Sequence, residues 1–407
     1  MTEYRITRLG HQGDGIAAGP VFAPMTLPGE VVTGVQTGDR LHDVRIVKPS
    51  ADRVSPVCRH YKACGGCQVM HASDAFVAEW KTGVVRAALT AQGIEAAFRP
   101  ILTSPPRSRR RAAVSVRRTK KGALAGFHAR ASDTVIQIPD CQLLLPELLD
   151  ALPLAEALAT SGASRKGELT VQVTHSDGGL DVLVTDGKPL DGPLRVALAA
   201  EVERFRLARL VWGDELVGQR QPPFQQFGQT RIVPPPGAFM QATAEGEAAL
   251  LSAVKEAVAG ATRIVDLFAG CGTFALPLAQ DAEVHAVEGE ADMLKALDQG
   301  WRQTSGSKRV STETRDLFRR PLLPDELKGF DAAVIDPPRA GAEAQVHEIA
   351  KAGIGRIAFV SCNPVTFARD AKTLLSAGYR LEWVQVVDQF RWSTHVELAA
   401  AFTAPHI

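Results

Sequence analysis

The sequence has no apolar run of the roughly 18 residues that a membrane-crossing helix needs. Leu143 to Ala159 comes nearest, but it carries Glu147, Asp150, Glu156 and two prolines. Met1 to Gln12 is polar and mixed in charge, without the apolar stretch of a secretory signal. Both absences point to a cytoplasmic protein with no membrane partner. Internal repeats and low-complexity tracts are missing too, which argues against a fibrous or disordered chain. Net charge is small, +1 from 46 basic and 45 acidic residues, and does not by itself announce a nucleic-acid binder. Cysteines are few, six in 407 residues. In a cytosolic protein their clustering suggests metal ligation or catalysis more than disulfides.

What is present divides the chain. With 45% hydrophobic residues and 407 positions, two or three cores are expected. Residues 1–52 alternate short apolar stretches with Gly10, Gly13, Gly15 and Gly19, as strands joined by tight turns in a small β-barrel would. Residues 53–236 hold four of the cysteines and strand-like runs at Ala112–Arg118, Ala123–His128, Leu169–Thr174 and Leu180–Thr185, a mixed α+β pattern. Pro234-Pro235-Pro236 closes this region. Residues 237–407 alternate strand and helix, with apolar runs at Ile264–Phe268, Val284–Val287, Ala332–Ile335 and Ile357–Val360. That alternation predicts an open parallel α/β sheet with helices on both faces. Leu381–Val387 and Val396–Phe402 are expected to form a hairpin at its edge.

Charge is unevenly distributed. Arg107, Arg109, Arg110, Arg111, Arg117, Arg118, Lys120 and Lys121 form an acid-free cluster suited to phosphate contacts with RNA. A solvated charged face would look the same.

Two constellations carry chemistry. Ile264 to Thr273 reads as a strand entering a glycine turn, where Gly270 and Gly272 allow a sharp bend and close approach of a ligand. The third glycine of a dinucleotide fingerprint is absent. Glu288 ends the next strand, where an acid can accept hydrogen bonds from both ribose hydroxyls of a nucleoside. Asp336-Pro-Pro-Arg339 and Ser361-Cys362-Asn363-Pro364 then follow the carboxyl ends of two further strands, the edge that faces the ligand crevice in such sheets. A cysteine there is a candidate nucleophile, provided something helps it ionise. Its addition to carbon 6 of a uracil would make carbon 5 nucleophilic towards an electrophilic methyl group. A base must then take the carbon-5 proton, and Glu397 in His395-Val-Glu397 is the candidate.

Cys58, Cys64, Cys67 and Cys141 could hold zinc or an iron–sulfur cluster, since both accept four thiolates. His71 nearby is expected to be an ordinary residue rather than a ligand.

Together these segments resemble the RNA 5-methyluridine methyltransferases, in particular the iron–sulfur group acting on 23S rRNA. The resemblance rests on Leu27-Pro-Gly-Glu30 in a TRAM-like barrel, Cys58-x5-Cys64-Gly-Gly-Cys67 with Cys141, Phe239-Met-Gln241, Asp266 to Thr273, Asp336-Pro-Pro338, Ser361-Cys-Asn-Pro364 and His395-Val-Glu397. It implies a class I, Rossmann-like catalytic domain that uses S-adenosyl-L-methionine, and a [4Fe–4S] cluster on the four cysteines. It also implies Cys362 as nucleophile and Glu397 as base. Gln241, Phe268, Thr273, Glu288, Asp316 and Asp336 would line the cofactor and base pocket. The chain departs from the pattern at Thr243 and Thr273, where asparagines are common, and Asp316 sits in a looser match. A monomer acting on RNA is expected. The rivals are a tRNA uridine methyltransferase, a 5-methylcytosine enzyme, an N-methyltransferase and a non-catalytic iron–sulfur RNA-binding protein. A cysteine straight after proline in the Asp336-Pro-Pro338 region would mark the 5-methylcytosine enzymes, and it is absent. The last two leave Cys362 without a task.

Overall fold

The computed structural model describes residues 2–405. Its first element is a closed barrel of β1 (Glu3–Leu9), β2 (Gly15–Ala17), β3 (Val21–Ala23), β4 (Val31–Thr37) and β5 (Arg40–Lys48), in the order β1-β2-β3-β5-β4. Ile6, Val21, Val32 and Leu41 fill it. Gly15 is obligatory there, because a Cβ would lie 2.1 Å from the Thr26 hydroxyl and 2.8 Å from Ile6. Buried Glu30 accepts from the Leu27 amide at 2.9 Å and from Arg53 Nε at 2.5 Å, fastening the barrel to the chain that follows.

Helix α1 (Asp74–Thr90) begins where the Ser73 hydroxyl accepts from the Phe76 amide at 3.2 Å. Its Val85 and Leu89 join the core of the C-terminal sheet, and β6 (Leu102–Thr103) pairs with the strand Arg380–Asp388 of that sheet, whereas Val77 packs with Leu9 and Leu27 on the barrel side. The second half of α1 and strand β6 thus pack with the C-terminal unit, although they lie within residues 53–236.

The central unit is a seven-stranded sheet, β13-β12-β11-β10-β7-β8-β9, built from β7 (Arg111–Thr119), β8 (Gly122–His128), β9 (Val135–Ile136), β10 (Glu168–Ser176), β11 (Gly179–Thr185), β12 (Arg209–Trp212) and β13 (Glu215–Gln219). Strands β7 and β10 alternate buried and exposed positions, so only one face is dry. Helices α2 (Pro146–Leu149), α3 (Ala151–Gly162) and α4 (Gly192–Arg204) cover that face through Leu154, Leu158 and Leu198. A β14 (Gln225–Phe227) and β15 (Thr230–Ile232) ribbon leads onward.

The C-terminal sheet comprises β16 (Arg263–Leu267), β17 (Glu283–Glu288), β18 (Val310–Thr314), β19 (Ala332–Ile335), β20 (Arg356–Ser361), β21 (Arg380–Asp388) and β22 (Glu397–Thr403), with helices α5 (Ala244–Ala257), α6 (Ala275–Leu278), α7 (Ala291–Arg302), α8 (Pro324–Leu327), α9 (Glu343–Ala352) and α10 (Pro364–Ser376). Its order is β18-β17-β16-β19-β20-β22-β21-β6. Strand β19 is buried at all four positions, as a strand covered on both faces must be. Two apolar cores, one around Leu250 and Leu297 and one around Val346 and Phe367, flank the sheet. The expected hairpin is present, but not at the edge: β22 inserts between β20 and β21, and β6 extends the sheet beyond β21. Being antiparallel, β22 starts at the same sheet edge where β16 to β20 end. Cys362 and Glu397 are thereby brought to one crevice.

Candidate active site

One cavity of about 1030 Å3 runs along that edge. Its cofactor end is built by the turn after β16. Phe268 adopts φ +63° and Gly270 φ +54°, a backbone that only glycine takes without strain. The Gly270 amide donates to Glu288 Oε2 at 3.0 Å, and the Gly289 and Glu290 amides donate to Oε1 at 2.6 and 3.1 Å. Three amides thus fix the carboxylate while it still lines the cavity. Phe268 and Phe318, 5.4 Å apart and tilted by 52°, form an aromatic wall beside it. Asp316 accepts from the Phe318 amide at 3.0 Å, which orders that wall. Gly272 does different work: a Cβ there would meet Leu276 and Leu297 at 2.9 Å, so the glycine lets the turn pack on α7 and does not line the cavity.

The electrostatics favour a cationic guest. Burial, then the neighbouring Asp336, raises Asp266 well above the usual carboxylate range. Neither of its oxygens has a hydrogen-bond partner, and the Ala275 amide, which favours the charged form, lies outside bonding geometry. Burial and Glu288 push Asp336 up to about 7. A sulfonium beside Asp336, which lines the cavity, would favour its charged form, and a nucleoside fits the amide-held Glu288 and the aromatic wall.

The reactive end lies at the start of α10. Asn363 Oδ1 accepts from the Val365 amide at 3.1 Å and Pro364 occupies the first helical turn, so the Asn-Pro pair is a helix start. Cys362 is left in the junction between β20 and α10, half-buried and lining the cavity. Burial, Glu397 and Asp336 push its thiol up to about 11, and Arg339 opposes them. Glu397 is buried, and burial followed by Asp336 raises it well above the ordinary glutamate value. Gln389 donates to Glu397 Oε2 and, at 2.5 Å, to Gln241 Oε1, while its own carbonyl accepts from the Ala242 amide at 2.7 Å. Buried Lys81 on α1 donates to Asp388 at 2.6 Å and to the Phe390 carbonyl at 3.1 Å, anchoring the loop that carries Gln389.

The family model described as tRNA (Uracil-5-)-methyltransferase matches residues 310–403. An uncharacterized RNA methyltransferase of Rhizobium meliloti (strain 1021) is 44% identical over 97% of this chain and 97% of its own. The 23S rRNA (uracil(1939)-C(5))-methyltransferase of Vibrio vulnificus (strain YJ016) is 30% identical over 98% of this chain and 95% of its own. The chain belongs to the RNA uracil-5 methyltransferase family. Its activity class is S-adenosylmethionine-dependent methylation of uracil carbon 5 in RNA. The fold agrees: the structure of Pyrococcus abyssi tRNA (uracil-54, C5)-methyltransferase with S-adenosyl-L-homocysteine superposes with TM-score 0.77 at 22% identity, covering 98% of this chain and 99% of that one.

For a methyltransferase of this family the expected residues converge closely. Gln241, Phe268, Gly270, Thr273 and Glu288 line the same cavity as Asp316, Asp336, Cys362 and Glu397. Thr243, where asparagine is common, caps α5 by accepting from the Gly246 amide at 2.9 Å. The basic cluster does not act as one surface. Arg110 pairs with Glu247 and donates to the Gln241 carbonyl, whereas Arg107, Arg117, Lys120 and Lys121 are exposed. Sequence reading missed Gln389 and Lys81, whose partners lie far away along the chain.

Cys58, Cys64, Cys67 and Cys141, all free thiols, line one small enclosed cavity. Burial, then Cys141, Cys64 and Cys58, push Cys67 up to about 12. Among the described residues, no three His, Cys, Asp or Glu side chains are grouped so as to hold a single metal ion. His71 is no part of the cysteine cavity: its ring is buried, 2.6 Å from the Tyr61 hydroxyl. The cysteine loop reaches the catalytic site directly, since the Gln68 and Val69 amides both donate to the Trp392 carbonyl, at 2.8 and 3.0 Å.

Proposed function

We propose that the chain methylates carbon 5 of one uridine in 23S rRNA, with Cys362 as nucleophile and Glu397 as base. One observation carries the reading: a free cysteine and a buried carboxylate share a single cavity with the Glu288 and Phe268 wall. S-adenosylmethionine, when bound, supplies an electrophilic methyl group on a sulfonium. Before attack the Cys362 thiol must release its proton to solvent water, because burial and two acids hold it neutral. Arg339 favours the thiolate, and a cationic group held in the cavity would act in the same direction. The thiolate adds to carbon 6 and carbon 5 takes the methyl group. Glu397, whose base form the Gln389 N–H favours against burial and Asp336, then removes the carbon-5 proton, and the C6–S bond breaks to regenerate uracil and thiolate. The target must leave its stack to reach a site this deep.

The ribosomal target is supported by the full-length relative from Vibrio vulnificus. The tRNA reading draws on the family model's description, over a shorter stretch. The four cysteines are proposed to hold a [4Fe–4S] cluster that ties the start of the central unit to its sheet, and the shared cavity and lack of disulfides support this. As the test, Cys362→Ala is expected to abolish turnover while cofactor affinity, read by calorimetry, is retained. A Cys362→Ala protein that still methylates RNA removes this residue from the chemistry.

A further inference from the structure

Beside the catalytic cavity lies a second one of about 270 Å3, and Arg109, Phe239 and Phe390 line both. Its far wall is β10, through Gln172 and Thr174. Phe239 is 58% exposed although it stands at the junction of two units. The Arg111 guanidinium lies 5.0 Å from its ring centre, and Arg109 lies 5.8 Å from that of Phe390. An aromatic face with a guanidinium beside it is a surface on which an unstacked base can lie.

The charges point to the rest of the ligand. Among the described residues no carboxylate lines this cavity. Of three consecutive arginines, Arg110 is neutralised by Glu247. Half-buried Arg111 donates to the Met240 carbonyl at 2.9 Å, and among the described residues it has no acidic partner. Arg109 donates to the Arg111 carbonyl at 3.0 Å, and among the described residues it too has no acidic partner. Arg109 and Arg110, which precede Arg111 in the sequence, repel its charge. A cation withdrawn from water without a counter-ion costs free energy that an incoming anion returns.

We propose that this second cavity takes the nucleotide adjoining the target uridine, with its phosphate at Arg111 and Arg109 and its base against Phe239. The Arg111 guanidinium lies over one face of Phe239, so the neighbour's base takes the other face. The Gln172 amide and Thr174 hydroxyl supply a donor and acceptors for the neighbour's edge. The inference rests on the reading that the chain acts on RNA.

The test is fluorescence anisotropy of the full chain with a labelled single-stranded oligouridine, titrated with salt. Losing one phosphate contact in Arg111→Gln is expected to weaken binding on the order of tenfold and to flatten the slope of log Kd against log salt by about 0.7. Arg111→Lys, which keeps the charge, is expected to retain the slope. Gln172→Leu is expected to weaken binding severalfold without altering the slope. An Arg111→Gln protein with the wild-type slope overturns the proposal, and so does a wild-type chain that does not bind the probe. Binding is read without methyl transfer. A wild-type chain that bound the probe normally but methylated no RNA would sink the functional reading and leave this one standing.

Discussion

Replacing Gln389 with leucine removes the N–H that faces Glu397 and the carbonyl that holds the Ala242 amide. The first loss bears on catalysis. A hydrogen bond to a charged group contributes about 1.5–3 kcal/mol, which at about 1.36 kcal/mol per decade is about 10- to 150-fold. Glu397 already leans towards its neutral form through burial and Asp336. Without Gln389 the carboxylate is less favoured still, so less of the enzyme holds a competent base at neutral pH. Proton removal from carbon 5 should slow by about 10- to 150-fold. The rising limb of log kcat against pH should move to higher pH by about one to two pH units. Tritium release from RNA carrying 5-tritiated uridine reads this step directly, and the covalent protein–RNA adduct should accumulate, as is also expected of Glu397→Gln. Melting temperature and cofactor affinity serve as controls for the lost backbone contact. A rate loss with an unmoved pH profile would show that Gln389 supports the fold and not the base.

Three further outcomes are expected. Lys81→Ala leaves Asp388 buried without its partner, which should lower stability by about 3–5 kcal/mol in denaturant unfolding; a change below about 0.5 kcal/mol would mean the pair is not an anchor. Cys141→Ser should lose bound iron and the visible absorbance of a cluster from anaerobically purified protein, and wild-type protein carrying zinc instead would overturn the cluster assignment. Gly272→Ala forces a Cβ against Leu276 and Leu297 at φ +92°, so thermal unfolding should show about 1–3 kcal/mol of destabilisation, and an unchanged transition would show that the turn yields.

The catalytic strands were legible because each is a short, mostly apolar run that ends on a chemically marked turn. Cys362 was legible because it closes an apolar run, and the carboxyl ends of such strands face the ligand crevice. Glu397 was legible as an acid leading into an apolar strand. What stayed hidden depends on distance along the chain. Gln389 joins Glu397 to Gln241, 148 residues away, and Lys81 meets Asp388 across 307 residues. No local pattern encodes such pairs. The two-residue strand β6 carries no periodicity, so the hairpin was placed at the sheet edge. The basic cluster misled for a related reason: charge density along a sequence does not reveal which arginines turn inward to carbonyls and carboxylates.

The central claim is that Cys362 modifies a single ribosomal uridine. Nucleoside mass spectrometry with fragment mapping tests it, applied to RNA from cells lacking the gene and complemented with wild type or Cys362→Ala. One 5-methyluridine should vanish from 23S rRNA without the gene and return only with the wild-type chain. Its return with Cys362→Ala, or the loss of a tRNA 5-methyluridine instead, would contradict the account.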